Sequence, residues 1–304
     1  MKPPFFKRSR RSAAFTLVEV LVSITVLGLM MVGVAQLMNG AIKATLGGFK
    51  HMDADTQARM VLDRMAFDIS KITKRADVDY YFQKNTGNDQ MAFYSESGGY
   101  YPSGVSGAVP ESDVSLVGYR INANNQMERL SKGLIWNGVT SSTTGATSMT
   151  ATSDGLSPMV FLPQTIAATW PNVEGSGADA NYQVIGDQIF RLEICYLVQN
   201  TSTTALSAQP YLSPNTGLNG LQDLVAVVVS IAVLDSESRA GVTNGSLATA
   251  ISDLPDVNSA TISSNGLPST LWKAALLSNG LGLPAASAGQ VRFYQRYCYI
   301  NHVQ

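Results

Sequence analysis

Few side chains in this sequence are placed to do chemistry, and one carboxylate stands apart from the rest. Glu19 is the only charged residue between Phe15 and Met38, a run that is otherwise almost wholly apolar. A carboxylate at the centre of a bilayer costs about 2.5–3.5 kcal/mol, and less towards an end. Such a residue needs a partner or a role. If the chain is cut between Ala14 and Phe15, Glu19 lies one helical turn, ~6 Å, from the new terminal amine. That amine and the helix macrodipole would both favour the charged carboxylate. In a bundle of parallel helices the same group could instead meet the amine of a neighbouring subunit and set the register between the two.

The remaining candidates are sparse. His51 and His302 are the two histidines, far apart in sequence, and no Gly-x-Ser-x-Gly elbow surrounds a serine. A Ser-His-Asp site is therefore not expected. The pairs Asp53/Asp55 and Asp77/Asp79 lack the spacing of a calcium loop and read as caps or solvated surface. Tyr80-Tyr81-Phe82 and Tyr100-Tyr101 could stack on sugars, but core or hairpin packing is the commoner use of such residues. Cys195 and Cys298 could form a disulfide in an oxidising compartment, or stay as two buried thiols; no Cys-x-x-Cys or Cys/His cluster suggests zinc. No catalytic residue, metal ligand or cofactor is expected.

The element that carries Glu19 is a helix long enough to cross a membrane. From Val20 to Met38 the sequence VLVSITVLGLMMVGVAQLM holds no charge, and about 20 apolar residues span the hydrocarbon layer. Lys2, Lys7, Arg8, Arg10 and Arg11 precede it with no acid among them. This asymmetry predicts a cytoplasmic N-terminus and a translocated bulk. A secretory signal cut near Gly33-Val34-Ala35 would need a shorter apolar core, roughly 7–15 residues. A plain signal anchor explains the length but not Glu19.

Composition agrees with export. Only 14% of the 304 residues are charged, against about 25% in an average soluble domain. The basic leader aside, acids outnumber bases, which argues against nucleic acid as a partner.

Beyond the apolar run, Gly47-Gly48 interrupts the helical pattern, and Ala58, Leu62, Met65, Ile69 and Ile72 then restore it as a stripe in steps of four and three. This predicts a helix from Phe15 to about Ile72 whose second half packs on its own sheet. Strands are expected at 91–94, 115–121, 126–130, 159–162, 189–198, 224–234 and 291–300, from their β-branched and aromatic content. Asn122-Ala123-Asn124-Asn125 reads as the turn of a hairpin, and 224–234, apolar almost throughout, as a central strand covered on both faces. Residues 271–277 could form a short helix. The stretches 140–153 and 240–265, rich in Ser, Thr, Gly and Asn, read as mobile linkers within one head. The expected class is α+β: a long N-terminal helix packed on a mainly antiparallel sheet. The expected organisation is a leader (1–14), a transmembrane half-helix (15–38), a soluble half-helix (39–76) and a β-rich head (77–304).

The string Ala14-Phe15-Thr16-Leu17-Val18-Glu19, with its basic leader and apolar run, resembles the prepilin-type cleavage and methylation motif of type IV pilins and type II secretion pseudopilins. The resemblance implies leader removal by a membrane prepilin peptidase, N-methylation of Phe15, and a partnership between Glu19 and a neighbouring subunit's N-terminus. The family usually has Gly where this chain has Ala14, also a small residue. The run from Ala58 to Asp68 and the pair Val117-Gly118-Tyr119-Arg120 with Glu128-Arg129-Leu130 resemble the J-type minor pseudopilin. The helix run and Gln295-Arg296-Tyr297 also resemble the prepilin-type cassette C proteins of Verrucomicrobia. The reading is a non-enzymatic fibre subunit: a minor pilin or pseudopilin in the inner membrane, single-pass, with its head exported to periplasm or cell surface. Its partners would be the peptidase and other pilin or pseudopilin subunits. The alternative is a membrane-anchored binding protein whose head recognises a surface ligand or secreted substrate.

Overall fold

A computed structural model describes residues 16–74, 80–100, 111–135, 159–160, 182–199, 203–211, 221–258, 262 and 266–300. The chain divides into two compact units, Met1–Phe49 and Lys50–Gln304. In the first, every residue from Thr16 to Leu46 is exposed, so this apolar length has no partner among the described residues. It belongs to helix α1, Leu17–Ser70, long and apolar enough to cross a membrane. Helical assignment continues through Gly47-Gly48, because glycine weakens a helix by only about 1 kcal/mol relative to Ala and the flanking turns outweigh that.

Within the second unit, α1 buries Ala54, Ala58, Val61, Leu62, Met65, Asp68 and Ile69. The anticipated apolar stripe is the core face, with Ile72 buried just after the helix ends. The helix stops at Ser70, shortly before the expected end. Lys71 forms a turn, and Ile72 bridges to Ser95. Each fully buried aliphatic side chain here contributes about 1.5–3 kcal/mol relative to exposure.

Two sheets receive this face. The first contains β1 (Tyr81–Gln83), β2 (Gln90–Ser95), β3 (Gly99–Tyr100), β4 (Glu111–Ser112), β5 (Ser115–Ile121) and β6 (Met127–Ile135), in the order β1-β2-β5-β6-β3-β4. Two further strands, β7 (Met159–Val160) and β8 (Gln183–Gly186), pair with β6. The β5–β6 hairpin forms as anticipated. Asn122 Oδ1 accepts from the amides of Asn124 and Gln126, and Asn125 sits at φ 55°, a conformation Asn tolerates. The second sheet runs β10 (Thr204–Ser207), β9 (Ile189–Gln199), β11 (Leu224–Val233), β12 (Arg292–Tyr299). Strand β11 is central and covered on both sides. Val227 and Val229 join the α1 core, whereas Ala232 faces a second core around Trp272, Leu247 and Leu281.

That second core corrects one expectation. The stretch 240–265 was expected as a mobile linker, yet it contains helix α3, Asn244–Asp253, after the short α2, Ser236–Ala240. Thr243 caps α3 through its side chain, and Leu247, Ala250 and Ile251 are buried. The surrounding Ser, Thr and Asn mask a short apolar face that only the sheet beneath it reveals. Helix α4, Pro268–Asn279, is longer at both ends than its apolar centre suggests; Pro268 starts it and left-handed Gly280 stops it. A short α5, Ala285–Ala288, leads into β12. The stretch 140–153 lies outside the described residues.

The sheets are joined through the β1–β2 turn. Asp89 N–H donates to the carbonyl of Leu192, while Asn88 Oδ1 accepts from Leu192 N–H at 2.8 Å and Asp89 Oδ2 from Ile194 N–H at 2.7 Å. These contacts cover part of the β9 edge that β10, paired only from Tyr196 onward, leaves open.

Candidate functional site

Glu19 sits in the first turn of α1, and its partner is local. The carboxylate Oε2 accepts from Thr16 N–H and from the Thr16 hydroxyl, both at 3.0 Å. Thr16 Oγ1 in turn accepts from Glu19 N–H at 3.3 Å. This reciprocal arrangement is a capping box, which satisfies amides that the first turn of a helix leaves without partners. An acid that is costly in an apolar helix is thereby held by its own N-terminal turn. The sequence signal was the Thr-x-x-Glu spacing, and Thr16 is the residue that reasoning from charge alone missed. The arrangement offers an exposed carboxylate in the first turn of an exposed apolar helix. Its hydrogen bonds are to neutral donors, which a cation could replace.

Ala14 and Phe15, where processing is expected, lie outside the described residues, as do His302 and Asp77/Asp79. Cys195 and Cys298 are free and buried, the second of the two alternatives the sequence left open. Cys195 stands opposite Val228, and Cys298 opposite Val227. With β11 between them, the two strands are roughly 9–10 Å apart, beyond disulfide reach. The thiols also face opposite sides of the sheet, since Cys298 belongs to the α1 core and Cys195 to a separate cluster with Val228 and Val257. Burial pushes both thiols up to about 12. Alkylation of the folded protein at pH 8 is therefore expected to be at least ~100-fold slower than in denaturant. Equal rates in the two states would contradict the burial.

The other candidates serve the fold. His51 contacts Arg292 on β12 through its ring nitrogens, and Asp55 accepts from Tyr294. Asp53 accepts from Gln188 at 2.8 Å and from Ser236 N–H. Asp63 pairs with Arg296. His51, Asp55 and Asp63 share one face of α1 at multiples of four, and Arg292, Tyr294 and Arg296 share one face of β12. Helix and strand thus meet along a polar seam that no single stretch of sequence announces. Phe82 stacks on Tyr196 at 5.5 Å and packs against Phe93 and Tyr80, which makes this aromatic cluster core. Among the described residues no group of three or more His, Cys, Asp or Glu could hold a metal ion.

Among the described residues, one well-connected polar group between α1 and a sheet is one the charge pattern did not single out. Asp68, fully buried, accepts from Tyr119 at 2.5 Å, from Arg129 Nε at 2.7 Å and Nη2 at 3.1 Å, and pairs with Arg64 one turn earlier at 3.3 Å.

Comparison with known proteins adds one decisive match at the N-terminus. Residues 9–35 match the family model for the prokaryotic N-terminal methylation motif. The chain carries a prepilin-type N-methylation motif. The match covers the end of the basic leader, with Arg10 and Arg11, then Thr16, Glu19 and most of the apolar run. Among solved structures, a type IV-like pilin from Thermus thermophilus is similar, at 12% identity over 81% of this chain and 94% of that one, with a TM-score of 0.31. No curated protein matches the chain.

Proposed function

We propose that the protein is a structural subunit of a type IV pilus-like or type II secretion-like fibre. It is cut between Ala14 and Phe15 by a prepilin peptidase, methylated at Phe15, and anchored in the inner membrane by residues 15–38, with the head exported. The observation that carries this reading is the methylation motif on a helix whose apolar residues between Thr16 and Leu46 are exposed, with no partner among the described residues. Such a surface fits first lipid and then neighbouring helices. In the fibre the Glu19 carboxylate exchanges its bonds to Thr16 for the N-terminal amine of an adjacent subunit, and this fixes the register. The large head (77–304) favours a low-copy or tip position, as in a J-type minor pseudopilin.

Mass spectrometry of the mature N-terminus tests the pathway. The expected result is a chain beginning at N-methylated Phe15. A chain beginning at Met1 or Gln36 would overturn the proposal.

A further inference from the structure

A dense group of charges in the head lies where the two sheets join. Lys84, after β1, donates to Asp89 Oδ2 at 2.6 Å, to Glu193 Oε1 at 2.5 Å and to the carbonyl of Ile194 at 2.8 Å. Arg191 Nη2 donates to Glu193 Oε2 at 2.8 Å and to Asp256 Oδ1 at 2.5 Å. Its guanidinium lies 5.4 Å from the centre of the Trp272 ring. Backbone amides complete the group: Val257 donates to Glu193, Ile194 and Asn85 to Asp89, and Gly87 to Asp256. The β1–β2 turn, β9 and the segment after α3 therefore meet in these few side chains. Asp89, Arg191 and Glu193 are fully buried, and the Asp256 side chain is 35% exposed. The other titratable groups close to the cluster are Cys195, Tyr196 and Tyr80.

Among the described residues three carboxylates face two cations here, an excess of one negative charge. Two of those carboxylates share a single ammonium in a dry site, where keeping both ionised is costly. We infer that this cluster is a proton-loaded clasp: one proton, carried by Glu193 beside the Asp89 charge, lowers the excess negative charge where the sheets join, and its loss at alkaline pH slackens the head. The ionised cluster keeps its hydrogen-bond donors, so the clasp loosens rather than opens.

The titration behaviour agrees. Burial first, and the Asp89 charge second, push the Glu193 carboxyl up to about 7, against the opposing pull of Lys84 and Arg191. Burial also raises Asp89. For Lys84, burial opposes the charge, but the two carboxylates outweigh it and the ammonium persists. A carboxyl raised in the folded state from 4.5 binds a proton that the unfolded chain has already released. The added stability is full below the unfolded value and is lost as pH rises through about 7.

Denaturant unfolding of the full chain in detergent micelles, between about pH 5 and pH 8, reads this directly. The unfolding equilibrium constant of the unsubstituted protein is expected to rise on the order of 10- to 100-fold towards pH 8. Glu193→Gln carries no titrating group there and is expected to flatten that rise. The same rise in both proteins would overturn the clasp. Should Glu193→Gln fail to fold, difference infrared spectroscopy of the unsubstituted chain decides. A protonated-carboxyl band that grows between about pH 8 and pH 6 and resists deuterium exchange supports the proposal; a cluster without such a band at pH 6 overturns it.

Discussion

Replacing Asp68 with Ala is expected to destabilise the head by about 3–5 kcal/mol, a large share of the 5–15 kcal/mol that holds a typical domain together. The carboxylate is fully buried and is the point where α1 meets the β5–β6 hairpin, through Tyr119 and Arg129. Without it the Arg129 guanidinium keeps its buried position and loses its counter-ion. The Tyr119 hydroxyl, held protonated by burial and by the Asp68 charge, loses its acceptor. Arg64 contributes less, because its side chain is 42% exposed and water screens its pairing. Asp68→Asn keeps an acceptor oxygen and is expected to cost less than the Ala variant. Urea unfolding of both variants against the unsubstituted protein measures the difference. A loss under about 1 kcal/mol for Asp68→Ala would show that the network is a surface pair in energetic terms.

The second large effect concerns assembly rather than folding. Glu19→Ala is expected to abolish fibre formation while leaving membrane insertion intact. Removing an acid from the apolar run favours insertion by up to about 2.5–3.5 kcal/mol, less at this end position. The capping box lost with it is worth about 0.5–2 kcal/mol, too little to undo a helix of this length. What disappears is the one charge able to recognise a neighbouring amine. Membrane fractionation would find the variant in the membrane, and shearing of surface fibres would recover none of it. A variant that assembled normally would refute the register role of Glu19. It would favour a membrane-anchored binding protein.

Local patterning made much of this protein legible. The apolar run with its single acid, the stripe Ala58, Leu62, Met65 and Ile69, the Asn-rich hairpin turn and the β-branched strands β9 and β11 each depend on neighbours within a few residues. Hydrophobic period and turn chemistry operate at that range, so the sequence reports them directly. Even the Thr16–Glu19 box was visible as a three-residue spacing, although charge drew attention to the acid alone.

Helix α3 was hidden because its apolar face is short and diluted by Ser, Thr and Asn; only the second core makes those residues buried. The fate of the cysteines depended on strand order, since β11 intervenes between β9 and β12 and places the thiols on opposite faces. The Asp68–Tyr119–Arg129 network joins residues dozens of positions apart, and the Glu193 cluster gathers charges from the β1–β2 turn, β9 and the segment after α3. By itself the sequence determined the long apolar helix, its acid and the alternation of its strands, because these are properties of neighbouring residues. Which distant charges share a dry site was decided only by the tertiary structure, because a buried ion's energy is set by whatever the folded chain brings within a few ångströms of it.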